Sequence, residues 1–390
     1  MPLYTQDDVT VLIAARNAQE TIRRAVASVR AQSSCPIVLV DDFSEDDTVN
    51  LARLEGGSGL TVVRPPYHGA LGLTRQCGLN VIQTPLTLLL DADDAFLQGR
   101  IARFVAQMSA QPAELWADEL LLFDGASDSL IRHIPIPDFI AATPVPYRMF
   151  ERNYLPGVGQ VGYRTELARS VGYDPELHGP EDIDLVLRVM LRGGVFAYCT
   201  RPGYAMYSYS TSVSRDLTRQ KTMYARCLSK FPVELVADFF IKQGAKSNET
   251  FFSIMLMLIH QNRYSEALSY LEKGQFAHLD SHPLEAKLLT PALKWRLNFY
   301  RGSLMLKLGS YKESVKYLSC ALRLAVKAEI FNNLGCAYRL SGCSEKAEGL
   351  FRHALALMPH YLDARINLND LDASAVTLPE FRDFASRDIY

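Results

Sequence analysis

The sequence predicts two domains: an α/β domain built on a parallel sheet over residues 1–245, then an all-α repeat domain over residues 246–390. Three observations predict this. Towards the N-terminus, short apolar runs alternate with helical patterns, as in a parallel sheet covered by helices on both faces. Two of those runs end abruptly in clustered aspartates. Towards the C-terminus, Gly302, Gly309 and Ala321 recur as Gly335, Gly342 and Ala354, each 33 residues later. A fixed period of that length marks a helical repeat array.

The first strand is Val9 to Ala15. Asn17 then stands where it could cap a helix, with Glu20 placed to reach back to it, and Ile22, Val26 and Val29 recur at helical spacing. A second strand, Ile37 to Val40, runs into Asp41 and Asp42, and Ser44 and Asp47 look like the start of a helix. Leu60 to Val63 is a further strand, followed by a Pro-rich loop and a helical stretch around Thr74 to Leu79. The run Leu86 to Leu90 reads as a buried strand, and it ends in Asp91, Asp93 and Asp94.

That last ending is the most informative part of the chain. Open α/β sheets bind ligands just past the carboxyl ends of their strands. Three carboxylates there repel one another unless a cation or a proton intervenes. Hard oxygen donors suit Mg²⁺ or Mn²⁺, which share their shell with substrate phosphates. A metal–diphosphate site is one reading, and a solvated acidic turn that caps the next helix is the other. Further on, Pro180 reads as the first residue of a helix. That puts Glu181 and Asp182 in its first turn, beside the positive end of the dipole, which favours ionised carboxylates.

Taken in order, these segments resemble the inverting family 2 glycosyltransferases of GT-A fold. The resemblance rests on Ile13 to Asn17 at the first strand end, on Asp41-Asp42 with Ser44, and on Thr74-Arg75-Gln76-Cys77-Gly78. It is completed by the Asp-x-Asp of Asp91 and Asp93, and by Glu181-Asp182 with Leu187-Arg188. It implies a Rossmann-like nucleotide-sugar domain and a UDP-sugar donor held near Ala14, Asn17, Asp41, Asp42, Arg75, Asp91 and Gly157. Asp93, with Asp91, would contact a Mn²⁺ or Mg²⁺ ion, and Arg75 the base. Asp182 would be the general base, with Glu181 orienting the acceptor. Asp94 and Asp184 would support the site. Two departures stand out. Tyr209 occupies the position of a frequent His, which leaves one diphosphate contact unassigned, with His178 a nearby candidate. The Gln-x-x-Arg-Trp element of processive synthases is also absent, so a single transfer is implied.

Composition narrows the class. A formal net charge of −2 gives no sign of a nucleic-acid partner. Seven cysteines without a Cys-x-x-Cys pair point to reduced thiols and a cytoplasmic enzyme. The N-terminus lacks the pattern of a signal peptide. The run Phe251 to Ile259 is far short of the ~20 residues a membrane span needs, so it is expected in a packed helix.

The repeat region resembles tetratricopeptide repeats. Phe331, Leu334, Gly335, Tyr338, Gly342, Ala347, Phe351, Ala354 and Pro359 carry the best copy. A degenerate copy spans about Phe251 to Gly274, and a capping helix starts at Tyr361 and runs to Leu371. Connecting helices are expected from about residue 215. Such repeats imply either docking of an acceptor, a peptide or protein, or homodimer formation. A catalytically inactive repeat scaffold, and a lipid-linked or saccharide acceptor, are the alternatives.

Overall fold

The structure is a computed structural model that describes residues 3–157, 160–177, 179–209, 217–273 and 291–369. The chain divides into two compact units, the first running to Gly244 and the second beginning at Ala245.

In the first unit β1 (Val9–Ala15), α1 (Ile22–Arg30), β2 (Ile37–Asp41), α2 (Thr48–Gly56), β3 (Leu60–Val63), α3 (Leu71–Val81) and β4 (Leu86–Asp91) alternate as expected. β1 lies between β2 and β4, parallel to both. Its register sets Ala14 beside Asp91 and Ala15 beside Asp41, so the acidic strand ends are neighbours. The near-continuous apolar runs of β1, β2 and β4 follow from burial on both faces.

Beyond β4 the parallel pattern stops. The chain continues through β5 (Ala95–Phe96), α4 (Arg100–Ala110), β6 (Leu115–Asp124), β7 (Leu130–Ile134), α5 (Asp138–Ala141), β8 (Gly162–Arg164), α6 (Thr165–Val171), α7 (Glu181–Leu191) and β9 (Phe196–Ser208). The strand order is β3-β2-β1-β4-β8-β6-β9-β5, with β7 attached to β6. β8 is antiparallel to both β4 and β6, and β5 to β9. The expected wholly parallel sheet is therefore corrected to a mixed one. Strands of two and three residues are too short to leave a periodic signature. α8 (Leu217–Ser229) and α9 (Val233–Lys242) close the unit.

One buried ion pair organises this mixed half. The Arg100 side chain is fully buried and forks onto Asp118, both bonds at 3.0 Å. It also donates to the Gln160 carbonyl at 2.6 Å and lies 4.4 Å from the Phe96 ring. It thereby links α4, β6 and the segment leading into β8. On the parallel side, α3 approaches β1 and β2 through Gly78. A Cβ there would sit 2.2 Å from Leu12 Cδ1 and 2.8 Å from Val40 Cγ2. Gly78→Ala is therefore expected to lower stability by about 1–3 kcal/mol through overpacking. Urea unfolding measures this, and an unchanged midpoint would mean that α3 shifts without cost.

The second unit is helical: α10 (Ser247–His260), α11 (Tyr264–Lys273), α12 (Pro291–Lys307), α13 (Tyr311–Leu324), α14 (Ala328–Leu340), α15 (Ser344–Leu357) and α16 (Leu362–Asn369). The apolar run Phe251 to Ile259 lies buried in α10. No described helix is long and apolar enough to cross a membrane. The 33-residue recurrence has a packing cause. A Cβ on Gly302 would meet Leu318 at 2.7 Å, and one on Gly335 would meet Phe351 at 2.6 Å. Gly309 and Gly342 turn the chain between paired helices at φ +81° and +84°, a conformation that favours glycine. Gly274 and Leu371 lie outside the described residues.

Candidate active site

The carboxyl ends of β1, β2 and β4 form one acidic rim. Asn17 was expected to cap a helix and does not. α1 starts at Ile22 with Thr21 at its N-cap, and Glu20 is exposed. Asn17 instead turns the chain at φ +48°. Its Oδ1 accepts from the Glu45 amide at 2.9 Å, while its own amide donates to Ser44 Oγ at 3.0 Å. It fastens the β1 loop to the β2 loop. Asp47 stands at the N-cap of α2 as expected, without a side-chain cap bond, and Asp46 accepts from the Thr48 amide.

Asp41 and Asp42 separate in role. Asp41 is fully buried and engaged, accepting from Arg64 Nε at 2.8 Å and from the Ser44 amide at 3.0 Å. Asp42 Oδ2 accepts from His68 Nδ1 at 2.7 Å, while its Oδ1 is buried without a partner. Ala14 is partly exposed at the strand end between them and Asp91.

The three carboxylates after β4 also differ. Asp94 turns inward, accepting from the Tyr204 hydroxyl at 2.9 Å and the Tyr207 amide at 2.8 Å. Burial and the neighbouring Asp91 and Asp93 push its carboxyl well above the usual range. Asp91 Oδ1 accepts from Arg75 Nη2 at 2.8 Å, and its Oδ2 accepts from Gln160 Nε2 at 3.0 Å. Asp93 is exposed, and its carboxylate bonds to no other described residue. Although the residue is exposed, the crowded turn desolvates its carboxyl, and this, with the charge of Asp91, raises its pKa. Gln160 was not foreseen from the sequence. Gly157 allows its approach, since a Cβ at that position would fall 2.0 Å from Gln160 Oε1.

Arg75 joins this rim to the start of α7. It is 3% exposed, and besides Asp91 it donates to Glu181 Oε1 at 3.0 Å. Burial works to lower its pKa, but Asp91, Tyr173, Glu181 and Asp182 outweigh burial and hold it charged. Arg75 thus bridges two carboxylates 90 residues apart. Pro180 stands at the N-cap, not inside the helix as expected, and Glu181 and Asp182 lead the first turn. Glu181 is 1% exposed, and its Oε2 has no partner. Burial and then Asp182 push Glu181 up to about 8, against the pull of Arg75. Asp182 Oδ1 accepts from the Ile183 amide at 2.7 Å. The helix start does not depress the Asp182 pKa. Burial raises its pKa despite Arg75 and that amide. Asp184 supports the helix by pairing with Arg188 and, at 2.5 Å, Lys230.

A raised carboxyl pKa has a stability consequence. The unfolded chain releases the Glu181 proton near the ordinary value of 4.5, whereas the folded chain keeps it up to about 8. The stabilisation present below pH 4.5 is therefore lost as pH rises through that window. Glu181→Gln is expected to flatten the fall in melting temperature between pH 5 and pH 8. Parallel pH profiles for the variant and the parent protein would show that Glu181 ionises normally.

A divalent cation fits the rim in a limited way. Among the described residues no group of three or more His, Cys, Asp or Glu side chains is arranged to hold a metal. Asp93, with its open carboxylate next to Asp91, would supply one protein ligand, and Asp91 is already hydrogen-bonded at both oxygens. Such a site suits an ion that completes its shell with phosphate and water. His178, Val158, Gly159 and residues 210–216, which hold most of the Ser-rich stretch after Tyr209, lie outside the described residues.

Residues 10–164 match the profile of the family described as Glycosyl transferase family 2. The chain is 30% identical over 224 residues to the succinoglycan biosynthesis protein ExoU of Rhizobium meliloti, covering 53% of this chain and 64% of that protein. It is 29% identical over 106 residues to the Escherichia coli UDP-Glc:alpha-D-GlcNAc-diphosphoundecaprenol beta-1,3-glucosyltransferase WfaP, covering 26% of this chain and 42% of that protein. The chain thus spans less than two thirds of the length of these curated relatives. A crystal structure of S. aureus TarS 1-349 in complex with UDP-GlcNAc shares the fold. The TM-score is 0.50 at 14% identity, with 91% of this chain and 93% of that one covered.

Proposed function

We propose that this chain is a family 2 glycosyltransferase that moves a sugar from a nucleoside-diphosphate donor, a UDP-sugar, to a saccharide acceptor, once per encounter and with inversion. The observation that carries this reading is the Arg75 bridge. It gathers the strand-end carboxylates and the first turn of α7 into one buried ionic network. The match to family 2 and the donor in the name of WfaP support the reaction class. The names of ExoU and WfaP support a glycan acceptor over a peptide or protein.

The residues divide the work. Asp42, with a buried oxygen lacking a partner, faces the nucleoside beside Ala14. Asp93, aided by Asp91, would hold Mn²⁺ or Mg²⁺, which supplies Lewis-acid stabilisation of the departing diphosphate. Asp182 takes the proton of the acceptor hydroxyl. Its raised pKa brings it closer to the pH at which a base works best. Burial raises the Glu181 pKa against the pull of Arg75, and its Oε2, which has no partner, is the side that would hydrogen-bond the acceptor. Arg75 is a positioning residue for both carboxylate groups. The paired helices α12/α13 and α14/α15 read as tetratricopeptide repeats that dock the acceptor or a second copy of the chain. The seven free cysteines suit the cytoplasm.

A screen of UDP- and GDP-sugars with Mn²⁺ tests the reading. Release of UDP from a UDP-sugar is the expected result. Absence of nucleoside diphosphate from every donor, or formation of pyrophosphate from a sugar phosphate and a nucleoside triphosphate, would contradict it.

A further inference from the structure

We propose that Arg24 binds the diphosphate of the donor directly, beside Asp93; this rests on the sugar-nucleotide reading above. Arg24 lies on α1 and points to the turn after β4. Its Nη2 donates to the Asp93 carbonyl and, at 2.8 Å, to the Tyr209 hydroxyl. Its guanidinium lies 3.5 Å from the centroid of the Tyr207 ring. The aromatic face and the two hydrogen bonds fix the group in one place.

The fixed cation is incompletely used. A guanidinium has five N–H donors. Among the described residues, Nη1 makes no hydrogen bond and Nε is buried without a partner. Two other cations of the rim are already paired, Arg64 with Asp41, and Arg75 with Asp91 and Glu181, and Arg16 is exposed and meets His68. No carboxylate of a described residue forms an ion pair with Arg24, although its charge lowers the pKa of Asp93. A rigid planar cation with spare donors, set beside the acidic turn, matches a ligand with several anionic oxygens close together. A diphosphate is that ligand, and the planar fork of Arg suits it. Arg24 then offsets diphosphate charge from the α1 side, independently of the ion at Asp93.

Calorimetric titration of the full chain with uridine and with UDP, in EDTA and again with Mn²⁺, tests this. Arg24→Met keeps the stem and removes the charge. It is expected to weaken UDP binding in EDTA by roughly 10–100-fold, the effect of losing a charged hydrogen bond, with uridine binding unchanged. Arg24→Lys is expected to recover part of the loss, in a salt-sensitive way. Equal losses for uridine and UDP would mean that Arg24 only holds the turn, and unchanged UDP binding would remove it from the site; either overturns the proposal. If the parent protein itself bound no UDP, the sugar-nucleotide reading would fall first. A parent that binds UDP and a Met variant that matches it would sink this proposal alone.

Discussion

Asp182→Asn lowers turnover by about 10²–10⁴-fold, the usual contribution of a general base, while donor affinity stays close to that of the parent protein. The carboxylate sits in the first turn of α7, where one oxygen accepts from the Ile183 amide. An amide side chain keeps the shape and a hydrogen-bonding oxygen but cannot take a proton. Burial raises the Asp182 pKa, so activity of the parent should rise with pH as Asp182 ionises. The Asn variant should lose that limb of the profile. Steady-state kinetics against pH separates the two. A variant that retained both rate and pH limb would remove Asp182 from the chemistry.

Asp93→Asn sharply lowers metal-dependent transfer without unfolding the protein. Loss of several kcal/mol of charge stabilisation at the leaving diphosphate corresponds to a fall on the order of 10²–10³-fold. Its effect on stability has the opposite sign. Burial and Asp91 raise the Asp93 pKa, so removing the charge relieves repulsion and the melting temperature should hold or rise. Asp91→Asn differs, because Asp91 anchors Arg75 and Gln160. It should lose activity and melting temperature together. Both variants are read by thermal melts beside activity assays with Mn²⁺ and with EDTA. Full activity of the parent in EDTA would exclude a metal role at Asp93.

The legible parts of the chain were those fixed by local pattern. β1, β2 and β4 announce themselves because burial on both faces demands continuous apolar residues. The acidic strand ends follow directly in sequence. The 33-residue repeat register is legible because Gly302 and Gly335 must admit Leu318 and Phe351. The mixed half of the sheet was not legible, since β5 and β8 are too short to show a period. Asn17 was misread because a cap and a loop staple use the same side-chain chemistry, and only the fold shows that Glu45 is its partner. Arg75 and Gln160 act through contacts across 106 and 69 residues of sequence, which no spacing rule reports. Arg24 resembled any polar residue on an amphipathic helix.

The most direct test of inversion with Asp182 as base is the anomeric configuration of the glycosidic bond formed from a UDP-sugar, read by NMR from the coupling of its anomeric proton. The configuration opposite to that of the donor is expected, because the acceptor attacks from the face across from the diphosphate. A product with the configuration of the donor would contradict both the base role of Asp182 and the single-displacement reaction.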